Sequence, residues 1–143
     1  MTELEIVEAI REERNALSER LGDRLWLAAE WESLTAVQLQ RLEEGLRQFP
    51  KSARLWILRG DLIQLGGDDS RYSLEDALAS YRMALERDPT SAEAHESIGH
   101  FLHAVANEPA EAEPYFRKAI ELGGGKTASD GLAQVLEQLE HTR

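Results

Sequence analysis

At 143 residues and 16.1 kDa the chain holds about one domain's worth of sequence, enough for one hydrophobic core. Apolar residues at 42% and charged residues at 30% exclude a disordered or membrane-embedded chain, and 27 acids against 16 bases, a net charge of -11, argue against nucleic-acid backbones and anionic membranes as partners. The absence of cysteine removes disulfides, thiol catalysis and cysteine-ligated zinc or iron–sulfur clusters. The opening MTELEIVEAI sets Glu3, Glu5 and Glu8 among apolar residues, unlike the basic start and apolar run of a secretory signal, so a cytoplasmic location is expected.

The periodicity is helical almost throughout. Val7, Ile10, Leu17 and Leu21 recur at helical spacings and predict a first helix over about 3–20. Leu21-Gly22-Asp23 reads as a break. A short helix is expected over about 24–33, with Leu25, Trp26 and Ala29 available for packing. Thr35-Ala36-Val37-Gln38 fits a capping box and predicts a new helix with Leu39, Leu42, Leu46 and Phe49 inward, stopped by Pro50.

The next helix is expected from about Ser52 to Leu65, with Leu55, Trp56, Leu62 and Ile63 inward; for Trp31, core and exposed contact roles both stay open. Gly66-Gly67-Asp68-Asp69-Ser70 is the strongest loop signal in the chain. Ser73–Asp76 and Thr90–Glu93 are two more capping boxes. They open helices that carry Ala77, Tyr81 and Ala84, and then Ile98, Leu102 and Val105. Asn107-Glu108-Pro109 turns the chain into a helix lined by Tyr115, Phe116, Ala119 and Ile120. Gly123-Gly124-Gly125 ends it, and a last helix covers about 127–141 with Leu132, Val135, Leu136 and Leu139. No stretch alternates in the manner of a strand, so eight helices in an all-α array are expected.

Two segments repeat each other: Trp56…Gly60…Ala77…Tyr81…Ala84…Pro89 and His95…Gly99…Ala112…Phe116…Ala119…Gly124. Trp or His to Gly is four residues, Ala to aromatic four, aromatic to Ala three, and Ala to the terminal Pro or Gly five. Small residues allow close helix approach, the aromatic fills the gap to the next unit, and proline or glycine stops the helix. This pattern resembles the tetratricopeptide repeat (TPR), a 34-residue helix–turn–helix. Residues 66–73 hold about five extra residues in the first unit, Arg59 stands where the family usually has Leu, and His95 where it often has Trp. The run Phe49–Trp56 is also similar to the half-a-TPR repeats.

The resemblance implies a single domain, residues 1–143, folded as an all-α right-handed superhelix of antiparallel helix pairs, a TPR-like α-solenoid. Its parts would be an N-terminal capping helix (1–20), a degenerate repeat (21–50), a repeat with a long inter-helix loop (51–90), a second repeat (91–124) and a C-terminal capping helix (125–143). It further implies a concave groove lined by Arg54, Ile57, Asp61, Gln64 and Leu65 from one unit and Glu93, Glu96, His100 and His103 from the next. The Asn, Lys and Arg with which one TPR subgroup clamps a carboxylate are replaced here by Ile57, Asp61, Glu96 and His100. A basic or basic-amphipathic segment of another protein is the ligand that these residues favour.

Two motifs resemble chemical sites. Gly123-Gly124-Gly125-Lys126-Thr127 imitates the end of a phosphate-binding loop, but Ile120 stands where that motif needs glycine and a helix precedes it instead of a strand; a helix stop is the simpler reading. Glu96, His100 and His103, at i, i+4 and i+7, share a helix face that could hold a divalent ion, yet groove histidines are common and no metal is expected. No serine, histidine and acid are brought together by the pattern, so neither catalysis nor a cofactor is expected. The functional expectation is a non-catalytic adaptor, scaffold or chaperone-like module, monomeric or homodimeric. The alternative is an oligomerising domain that pairs through its amphipathic first helix.

Overall fold

The computed structural model describes residues 1–25, 27–66 and 71–142. Among them are seven α-helices and no strand: α1 (Glu3–Leu21), α2 (Ala28–Gln48), α3 (Ala53–Leu65), α4 (Leu74–Arg87), α5 (Ala92–His100), α6 (Pro109–Glu121) and α7 (Lys126–His141). No helix among the described residues is long and apolar enough to cross a membrane. The chain divides into two compact units, Met1–Ser80 and Tyr81–Arg143, with the division inside α4.

Most helix starts follow from side chains that supply acceptors to otherwise unpaired amides. Thr2 Oγ1 accepts from Glu5 N–H at 3.2 Å while the Glu5 carboxylate accepts from Thr2 N–H. Ser52 Oγ caps α3 through Leu55 N–H at 3.1 Å. Ser73 and Asp76 exchange the reciprocal pair of a capping box. At α5 the expected box moves by one residue. Ser91 is the cap, accepting from Ala94 N–H at 3.1 Å, because Thr90 turns back to Asp88 with both its N–H and its hydroxyl.

Thr35 does not start a helix. It lies inside the continuous α2, 1% exposed, and its hydroxyl accepts from Arg14 at 3.0 Å. The neighbouring residue of the expected box, Gln38, is fully buried; its Oε1 accepts from the same guanidinium at 3.2 Å and its amide donates to the Ile10 carbonyl at 3.2 Å. The two polar residues therefore satisfy partners on α1 and leave the α2 backbone uninterrupted. The break before α2 is a single 3-10 turn, Gly22–Arg24. Trp26 and most of the loop expected at 66–73, residues 67–70, lie outside the described residues.

In the first unit α1, α2 and α3 pack on one another. Ile6, Ile10, Leu17 and Leu21 of α1 meet Leu39, Leu42 and Leu46 of α2 and Leu55 and Leu62 of α3 in the core. Gly45 marks the close approach: a Cβ there would lie 2.9 Å from Ile6 Cδ1 and 3.6 Å from Leu55 Cδ1. Arg59 takes the place of the expected family Leu as a polar hub. It donates to Glu43 at 2.6 Å and Ser80 Oγ at 2.5 Å, and its guanidinium lies 5.7 Å from the Trp56 ring and 5.3 Å from the Tyr72 ring. Trp56, expected inward, is half-buried.

In the second unit α5 packs on α6 and α6 on α7. Ala112, Phe116 and Ala119, the spacing that carries the repeat, are all 0% exposed. A Cβ at Gly99 of α5 would come within 3.0 Å of the Phe116 ring, and one at Gly131 of α7 within 2.5 Å. One ring thus fills the space against two helices that lack side chains at the contact. After His100 the helix widens into a π turn, Phe101–Val105, with Ala106 N–H bonded to the Phe101 carbonyl. The wider turn carries Val105, expected inward, to 40% exposure. Asn107 at φ 53 reverses the chain into α6, and Gly123 at φ 95 ends that helix as expected of a glycine stop.

Gly131→Ala should destabilise the protein by about 1–3 kcal/mol through overpacking against Phe116, less up to about 1 kcal/mol returned by helix propensity. Gln134→Ala, exposed on the same helix, should stay within about 0.5 kcal/mol of wild type. Equal denaturation midpoints for the two variants would show that the ring is not held against α7.

Candidate functional site

The nine residues expected to line a groove fall into both units. In the first, α3 carries Arg54, Gln64 and Leu65 exposed and Asp61 half-buried. Ile57, expected to contact ligand, is a core residue at 3% exposure, because α3 buries residues on more than one of its sides, so it offers no surface to a ligand.

In the second unit Glu93, Glu96, His100 and His103 follow one another at three, four and three residues along α5 and its π turn, which keeps them on one face. Glu93 is exposed and the other three are partly buried. The Glu96 carboxylate lies 3.4 Å from His100 Nε2, and among the described residues neither Glu93 nor Glu96 has a Lys or Arg partner. The His100 ring stands edge-on to Phe116 with centroids 4.9 Å apart, so the aromatic that fixes the helix packing also orients this imidazole.

His103 is tied to a different helix. Its Nε2–H donates to Gln138 Oε1 of α7 at 2.9 Å, and the Gln138 amide donates to Asn107 Oδ1 at 3.1 Å. This chain joins the π turn, the left-handed Asn107 and α7. Gln138 is missing from the sequence reading, and Asn107 enters it only as a turn residue, because the bonded partners lie 35 and 31 residues apart. His95, the counterpart of Trp56 in the repeated spacing, is 9% exposed, donates from Nε2 to the Pro89 carbonyl at 3.1 Å and lies beside Tyr115.

Among the described residues no group of three or more histidine and carboxylate side chains could hold a metal ion. The cations of the second unit lie elsewhere. Arg117 pairs with Glu113 at 3.1 Å, Lys118 with Glu121 at 3.3 Å, and Lys126 with Asp130 at 2.6 Å. The hydrogen bond and charge of Asp130 raise the Lys126 ammonium above its ordinary pKa, and this exposed lysine follows the triple glycine as part of a surface pair. The arrangement on α5 is therefore a carboxylate stripe balanced only by imidazoles. It can attract cations and donate or accept hydrogen bonds.

No protein-family model matches the chain, and no curated protein is significantly similar to it.

His103→Ala should cost about 1 kcal/mol of stability and Gln138→Ala about 1–2 kcal/mol, since it also loses the bond to Asn107, and the double variant should cost less than their sum, because the bond between the two is counted in both. Strict additivity in a double-mutant cycle would show that His103 and Gln138 are not coupled.

Proposed function

We propose that this chain is a non-catalytic protein-interaction module built from TPR-like helix pairs, and that the α5 face of its second unit binds a basic amphipathic segment of a partner protein. The observation that carries the reading is the Glu93–Glu96–His100–His103 stripe, whose two carboxylates have no Lys or Arg partner among the described residues. Glu113, Glu121 and Asp130 of the same unit are already matched with cations, whereas Glu93 and Glu96 are open to a lysine or arginine from outside. Residues 81–143 hold eleven acids against six bases, which extends the attraction beyond contact distance and favours fast encounter with a basic partner. The repeat reading is supported by the buried Ala112–Phe116–Ala119 spacing and by Gly99 at the helix contact, the positions at which a TPR unit uses small and aromatic residues. Imidazoles beside the carboxylates add hydrogen-bonding groups without repelling the ligand while neutral.

A panel of helical Lys/Leu amphipathic peptides serves as the probe, titrated into the whole chain. Glu93→Lys/Glu96→Lys should weaken binding at least tenfold. Glu137→Lys/Glu140→Lys, the same change in charge at exposed sites on α7, should weaken it far less. Affinity should also fall between 0.1 M and 1 M salt as the Debye length shrinks from about 10 Å to about 3 Å. Equal losses in the two double variants would reduce the effect to net charge and remove the assigned face.

A further inference from the structure

Arg14 is a half-buried cation in an acidic chain. Arg20 pairs with Glu30, Arg41 with Glu13, and Arg59 with Glu43, whereas Arg14, half-buried between α1 and α2, meets only neutral groups among the described residues. Its Nη1 donates to Thr35 Oγ1 and to Gln38 Oε1, which uses both N–H groups of that nitrogen. Its guanidinium carbon lies 5.0 Å from the centre of the Trp31 ring. Trp31 is itself fixed by a bond from Nε1 to the Leu25 carbonyl at 3.0 Å, and Gln38 by its bond to Ile10. The fork is thus immobilised from one side, with Nε–H and the two N–H groups of Nη2 left to serve an acceptor.

A cavity of about 280 Å³ opens at this residue, lined by Val7, Ile10, Arg11, Arg14 and Asn15 of α1 and Leu58 of α3. Arg11 and Asn15 are exposed on the same helix, three residues before and one residue after Arg14, and Arg11 has no carboxylate partner among the described residues. The other walls are apolar. We propose that this cavity is a binding site for a small aliphatic monocarboxylate, whose carboxylate is held by Arg14 and Arg11 and whose alkyl group packs on Val7, Ile10 and Leu58.

The chemistry selects that class of ligand. A planar guanidinium with free parallel N–H groups matches a carboxylate bidentately. Burial without an anion pushes the Arg14 pKa below its ordinary value, a desolvation that a bound anion offsets. A net charge of -11 opposes multiply charged phosphates, and a polar ligand would leave the three apolar walls unmatched. The cavity, about 280 Å³ and partly open to solvent, is large enough for a branched short-chain acid or one terminal leucine.

Titration of the whole chain with 4-methylpentanoate, followed by NMR, should give saturable shifts at Leu58 methyls, Trp31 Nε1–H and Arg14 Nε–H. 4-Methylpentanamide should bind at least tenfold more weakly, and inorganic phosphate should not saturate. N-acetyl-leucine separates the sources: binding equal to or tighter than the free acid assigns the site to a chain end, weaker binding to a free metabolite. Arg14→Gln should lose at least tenfold in affinity and the exposed Arg11→Gln severalfold. Equal affinity for acid and amide, saturating shifts away from Leu58 and Arg14, or full binding by Arg11→Gln together with a folded Arg14→Gln would overturn the assignment. If Arg14→Gln fails to fold, the Arg11→Gln affinity and the shift map decide it.

Discussion

The Phe116 ring occupies the space that side chains would take on two other helices. Gly99 on α5 and Gly131 on α7 leave room for it, and any Cβ at those positions would meet the ring at 3.0 and 2.5 Å. Burying one phenylalanine is worth about 1.5–3 kcal/mol, but the geometric consequence reaches further. On the same helix as Gly99, Glu93 is exposed, Glu96 is partly buried, and the His100 imidazole rests edge-on against the same ring. The residue that seats two helices therefore also orients a side chain of the candidate face.

The π turn acts on that face. Inserting an extra residue per turn after His100 rotates Val105 outward and lets His103 reach Gln138. The backbone amides stay satisfied, with Ala106 N–H bonded to the Phe101 carbonyl and Glu108 N–H to the Leu102 carbonyl at 2.7 Å. Asn107, at φ 53, tolerates the reversal better than most residues and accepts from Gln138 in addition. A regular helix through 101–105 would have buried Val105 and left Gln138 with a different partner, so the local distortion sets which groups α5 presents.

Much of this was legible in sequence wherever cause and effect sit within a few residues. Ser52 and Ser73 cap their helices, Gly123 ends one, and the Ala112–Phe116–Ala119 spacing lies fully buried, because caps, stops and periodicity are local. Thr35 and Gln38 show where legibility ends. Three residues apart, they have the pattern of a capping box, yet they lie inside one continuous helix and accept from Arg14. The competing partner lies 21 residues away in sequence, and no local rule registers it. Ile57 was misread for a related reason: a repeat frame assigns a face by counting, whereas burial is decided by how each helix is rotated on its neighbours. The Asn107–Gln138–His103 chain joins three segments that share no pattern at all.

The distribution of cations follows from the same reasoning. In a chain with 27 acids, Arg20, Arg41 and Arg117 each find a carboxylate, and an exposed guanidinium without one stays solvated at little cost. A half-buried one that is satisfied by a hydroxyl, an amide oxygen and an indole face has been kept from its natural partner. Desolvating a charge without neutralising it costs stability, and the bonds that hold Arg14 recover only part of that cost. Replacing it with a hydrophobic residue would unpair Thr35 and Gln38, which are 1% and 0% exposed, so the three polar groups stand or fall together. A polar cluster of this kind ties α1 to α2, and it keeps a positive charge at a residue that also lines the cavity beside Leu58. In a chain of net charge -11, such a cation with no carboxylate partner among the described residues leaves a place where an anion meets less repulsion.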